Sequence, residues 1–187
     1  MTHYFYPKKA DFLPSKKLFL LRAGFKQRDH ELNKTMRLLT NDIYIEAIPL
    51  VQPIIIYQTT ASDRVADIQI PKIFKGIQTI TFFISTLGTS IEERIDYYHE
   101  SGDTTKAMLL DAWASEAIEA LNDHFDLSLR KNHQKGTMRF SPGYSEVALT
   151  ENNKIIRFLE CKIVKAHSLS GMLTPQKSTV CMIGWYE

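Results

Sequence analysis

The chain has 187 residues, 44% of them hydrophobic and 24% charged, which suits one ordinary soluble domain with a real core. Its 23 Lys and Arg nearly balance its 21 Asp and Glu, for a net charge of +2. That balance gives no electrostatic case for a nucleic-acid partner, which needs a concentrated basic face. The longest apolar stretch, around Ile77 to Ile84, is broken by Gln78, Thr79 and Thr81 and excludes a membrane span. The opening MTHYFYPKK lacks the apolar core of a secretory signal, so a soluble, cytoplasmic protein is expected.

Residues 1–17, carrying Lys8-Lys9 and Lys16-Lys17, read as a solvated N-terminal arm ahead of a single domain over 18–187. Leu32, Met36, Leu39, Ile43 and Ala47 recur in steps of three and four, which predicts an amphipathic helix over 28–48, closed near Pro49. The β-branched run Ile54-Ile55-Ile56-Tyr57 after Pro53 predicts a buried strand. A short strand over 67–70, stopped by Pro71, and a core strand over 78–85 follow. Thr86-Leu87-Gly88-Thr89-Ser90 marks a turn that can cap a helix with Glu92 and Glu93 in its first turn and its end near Gly102.

A long helix is predicted over 105–131, with Leu110, Ala114, Ala117, Leu121 and Phe125 as its apolar stripe and Ser115, Glu119 and Asp123 facing away. Small residues at 112, 114, 115 and 117 allow another element to approach closely. Residues 132–149, with Gly136, Pro142 and Gly143, read as an irregular loop. A helix over 153–160 and strands over 162–169 and 179–185, joined by a turn over 170–177, complete the chain. Helices and strands mix without a strict βαβ rhythm, which favours α+β: a mixed or antiparallel sheet with flanking helices.

Cys161 and Cys181 sit twenty positions apart in apolar contexts, without metal-ligand spacing, and read as two reduced, buried thiols. His99, His124, His133 and His167 are scattered and suit surface or packing roles. No metal site is expected.

The informative stretch is Arg139-Phe140-Ser141-Pro142-Gly143-Tyr144. Pro142 fixes one φ angle and Gly143 permits a bend that other residues resist, so main-chain groups can be presented directly to a ligand. Arg139 offers a forked donor for a carboxylate and Tyr144 a flat ring with a hydroxyl. Taken locally, the same residues also describe an ordinary surface turn whose arginine pairs with a nearby acid.

The wider pattern resembles the reactivation domain of cobalamin-dependent methionine synthase. It combines the RxxPGY loop, the upstream Thr-Leu-Gly with Glu92-Glu93, Leu110-Asp111-Ala112 opening the long helix, and the closing stretch Ser170-Gly171-Met172-Leu173-Thr174-Pro175-Gln176-Lys177-Ser178 before an apolar strand. The resemblance covers about residues 18–187, keeps the blocks in order, and implies that domain's α+β fold standing alone. It implies S-adenosylmethionine as ligand, held by Arg139, the backbone at Ser141, Pro142 and Gly143, Tyr144, and Glu116 on the long helix. It also implies cobalamin carried by a corrinoid-binding methyltransferase partner, and an electron from flavodoxin or ferredoxin. The gain would come from holding the methyl group in place, so no acid–base pair is required. A further acidic ligand of the family has no clear counterpart; Asp11, Asp29 and Asp42 lie in the region but in no matching motif.

Overall fold

The computed structural model describes residues 1–25, 32–133 and 135–186. In chain order its elements are β1 (His3–Phe5), α1 (Lys16–Arg22), α2 (Lys34–Leu50), β2 (Ile54–Ala61), β3 (Thr79–Thr86), α3 (Ser90–Glu100), α4 (Thr104–Arg130), α5 (Glu151–Phe158), β4 (Lys165–Ala166), β5 (Leu173–Thr174) and β6 (Ser178–Trp185). One antiparallel sheet runs β1-β2-β3-β6, and β4 with β5 forms a separate small hairpin. The expected α+β class is what the chain adopts.

The pleat of the sheet separates two cores. Ile55, Phe83, Cys181, Ile183 and Trp185 face α1 to α4, whereas Ile56, Ile80, Phe82, Ile84, Val180 and Met182 face the other way. Ile155, Leu159 and Val164 cover that second face. β3 therefore buries both sides, and each fully buried phenylalanine there contributes roughly 1.5–3 kcal/mol through area removed from water.

α4 is the central helix. All five residues of its predicted stripe are buried, and so are Ala107, Leu109, Ala112, Trp113 and Ile118, because α1, α2 and α3 pack around it on the sheet. Asp103 caps its start by accepting from the Lys106 N–H at 3.3 Å. One polar link crosses this core. The Asn122 Oδ1 accepts from Ser85 Oγ at 2.5 Å, and its Nδ2 donates to Thr179 Oγ1 at 3.1 Å, tying α4 to β3 and β6.

Several expectations are corrected. Residues 67–70 form a turn, not a strand: the Ile68 N–H bonds Val65 C=O at 3.0 Å and the Gln69 N–H reaches the Glu151 carboxylate at 2.9 Å, so neither is available to a ladder. The strand expected over 162–169 shrinks to Lys165–Ala166. His167 N–H then bonds Met172 C=O, and Gly171 N–H bonds His167 C=O, each at 2.8 Å, closing a tight turn. α2 begins at Lys34, where Asn33 accepts from the Met36 N–H at 2.9 Å; positions 28–31 of the expected helix, Asp29 included, lie outside the described residues. Within the stretch 1–17, His3–Phe5 pairs with β2 and Phe12 is buried in the larger core.

Candidate functional site

The segment after α4 runs back along the outer edge of β6. Thr137 N–H donates to Gly184 C=O at 2.8 Å, and Phe140 exchanges two backbone hydrogen bonds with Met182 at 2.9 and 2.8 Å. Phe140 packs edge-on against Phe74 on the α5 side of the sheet. Arg139, next in alternation, reaches the opposite side: its Nη1 donates to Asp123 Oδ1 at 2.9 Å and its Nη2 to Glu119 Oε2 at 2.8 Å. The two carboxylates are four residues apart on α4, on the face left polar by the helix stripe. The guanidinium fork is thus filled from within the chain.

Beyond Phe140 the chain turns sharply. Gly143 has φ +96 and donates its N–H to Val147 C=O at 2.9 Å. A Cβ there would stand 3.0 Å from Leu149 Cδ1 in a left-handed conformation, so glycine is what this bend requires. Pro142 is buried, Ser141 half-buried, and Tyr144 projects outward with 70% of its surface exposed. Ser141 Oγ lies 3.3 Å from Cys181 Sγ. Burial pushes the Cys181 thiol up, outweighing the nearby Ser141 hydroxyl and Arg139 charge, so it stays a neutral packing group.

This turn forms one wall of a cleft of about 400 Å³. Ser141, Pro142 and Tyr144 stand on one side, Gly171 to Leu173 and Gln176 on the other, and Glu119 of α4 at one end. The volume is within the range of sites that hold small organic ligands. Asn152, at the start of α5, also lines it. Its Nδ2 donates to Gly171 C=O at 2.9 Å, while its Oδ1 is buried without a hydrogen-bond partner among the described residues. A buried acceptor left unpaired costs about 1–3 kcal/mol.

The second wall is held from outside the cleft. Lys177 Nζ donates to Asp111 Oδ1 at 2.7 Å and to Ser115 Oγ at 3.0 Å, and the Lys177 N–H reaches Glu92 Oε1 at 2.6 Å. Burial raises the Glu92 carboxyl, against the lowering pull of the Lys177 and Gln176 backbone N–H groups and of the Lys177 charge.

Of the residues expected at the site, Ser141, Pro142 and Tyr144 line the cleft; Gly143 shapes the bend between them, and Arg139 does not line the cleft but pairs with Glu119, which does. Glu116 does not: its Oε1 accepts from Arg22 Nε at 2.5 Å, directing the carboxylate towards α1. The acid at the cleft is Glu119, three residues on. Sequence reasoning placed Glu119 on the polar side of the helix without connecting it to Arg139, and its spacing of four from Asp123 was the available signal. Asn152 carried no such signal, because its position depends on the contact with Gly171 nineteen residues later.

No family model matches this sequence, and no curated protein matches it either. Three-dimensional comparison gives a different result. The chain is similar to the crystal structure of the MetH reactivation domain bound to AdoHcy, with a TM-score of 0.71 at 15% identity, over 100% of this chain and 78% of that one. The chain has the α+β fold of that reactivation domain.

Proposed function

We propose that this chain binds S-adenosylmethionine in the cleft between residues 141–144 and 171–176 and supports reductive remethylation of a corrinoid carried by a partner methyltransferase. The observation that carries the reading is the cleft itself. Ser141, Pro142, Tyr144, Asn152 and Glu119 line it, and Arg139 stands beside it on Glu119, in a chain whose fold is similar to that of a domain bound to AdoHcy. Arg139 suits the ligand's carboxylate and Glu119 suits its cationic groups. The acid role that the family resemblance implied for Glu116 is therefore assigned to Glu119. Tyr144, exposed at the rim, is placed to meet whatever docks over the cleft.

The ligand's sulfonium supplies the methyl group; the chain's residues bind and orient it, which can lower a barrier without proton transfer. Cobalamin belongs to the partner, and a flavodoxin or ferredoxin would supply the electron. The corrinoid partner could equally serve a different methyl-transfer reaction while this ligand cleft stays the same. No helix among the described residues is long and apolar enough to cross a membrane, and we place the protein in the cytoplasm.

A second reading has its own observation. Arg139 is already satisfied by Glu119 and Asp123, as in an interaction module that keeps the fold without the ligand. Calorimetric titration with S-adenosylhomocysteine separates the two. Saturable binding that weakens by about 1.5–3 kcal/mol in Arg139→Met, the worth of a hydrogen bond to a charged group, supports the ligand site. No heat at millimolar ligand, with or without a cobalamin protein present, supports the module.

A further inference from the structure

On the opposite side of the sheet from α4, α5 separates two adjoining hollows of about 800 and 630 Å³. Both are lined by Lys154 and Arg157, three residues apart on one helix face; Lys162 and Lys165 line the first, and Arg64 lines the second. The acids lining them are Glu151 and Asp67. Five cations against two carboxylates leave a local surplus of three, larger than the +2 of the entire chain.

The charge is also unspent. Lys154 is paired with Glu151 at 2.8 Å, and Glu151 is further held by the Gln69 N–H. Arg64, Arg157, Lys162 and Lys165 have neither an ion pair nor a side-chain hydrogen bond among the described residues, and all four are exposed. Unneutralised like charges gathered in one place repel each other, and an anionic surface relieves that repulsion.

We propose that this groove docks an acidic surface of a partner protein. Its breadth favours a protein over a small anion. The cations stand on both sides of α5 and on separate segments, whereas a small-ligand site encloses most of its ligand. The groove shares no lining residue with the cleft beside Ser141 and Tyr144, so it does not depend on the ligand assignment above.

The test uses a fluorescein-labelled oligoglutamate peptide of about a dozen residues, followed by anisotropy at low salt, where exposed charges are least screened. Three forms of the protein are compared: wild type, R157E/K162E/K165E, and the charge-matched control K8E/K9E/K17E. Thermal melts confirm that each is folded. Wild type and control are expected to bind, with affinity falling by about tenfold or more in the groove variant and declining as salt rises. An equal loss in both variants would show bulk charge alone and overturn the proposal. Absence of binding at low salt would do the same. Tighter binding of an oligothymidylate of equal charge would assign the groove to nucleic acid instead.

Discussion

Gly171 stands where the second wall of the cleft touches the chain entering α5. It has φ +74, and a Cβ added there would lie 2.3 Å from the Leu149 carbonyl oxygen, 2.5 Å from its carbon and 2.7 Å from the Thr150 nitrogen. These are backbone atoms, so no side chain can swing away. Placing alanine in a left-handed conformation costs about 1–2 kcal/mol. Relieving the overlap adds about 1–3 kcal/mol, the usual range for overpacking. Gly171→Ala is therefore expected to lose about 2–5 kcal/mol, equivalent to a fall in Tm of roughly 4–20 °C for a chain of this length. Gly102 provides the control: its φ is +78, and its Cβ would meet nothing within 4 Å. Gly102→Ala should show the backbone cost alone, about 1–2 kcal/mol. Urea unfolding of the two variants side by side isolates the clash. Equal midpoints would refute the close approach of residue 171 to residues 149 and 150, and with it the shape of the cleft.

Asn122→Ala removes the buried link between α4, Ser85 and Thr179, and should cost about 2–4 kcal/mol by urea unfolding; a change near zero would mean the link contributes nothing net. Lys177→Met breaks the contact with Asp111, which is 53% exposed, so a modest loss of about 1 kcal/mol is expected. Its larger effect should be on S-adenosylhomocysteine titrations, through displacement of the wall at 171–176; unaltered affinity would remove Lys177 from the support of the cleft. Glu146 accepts from the Ser145 hydroxyl and then from the Lys72 N–H, which hold its carboxyl down to about 2 from an ordinary value of 4.5. A depressed carboxyl contributes stability that is present above pH 4.5 and is lost as pH falls towards 2. Urea midpoints measured at pH 5 and pH 3 should therefore drop more in wild type than in Glu146→Gln; parallel drops would show that the group contributes nothing to acid unfolding.

Where periodicity carried the signal, the sequence was legible. The stripe from Leu110 to Phe125 is buried as its spacing implied, and β3 and β6 fall within a residue or two of the apolar runs that announced them. The short elements were not legible. The stretch 67–70 reads as a strand, but the Gln69 N–H is drawn to Glu151, eighty-two residues away in the chain, and local pattern cannot register that contact. The candidate site divides the same way. Pro142 and Gly143 identified the bend because their conformational limits are intrinsic. The choice between Glu116 and Glu119 depended on which side of α4 faces α1, a matter of packing among four helices. Asn152 required tertiary contacts outright.

The strand-like edge made by residues 136–140 has a consequence for how such a chain can change. β6 is the last strand of its sheet, and without the bonds from Thr137 and Phe140 its backbone would be open to another chain, a known route to aggregation. The same stretch that leads into the cleft is therefore also an edge guard. A descendant without the proposed ligand would remain under pressure to keep Phe140 and the bonds to Met182 and Gly184, while Tyr144, Asn152 and the Arg139–Glu119 pair would be released. Survival of the strip alone would report solubility; joint survival with those three features would report use.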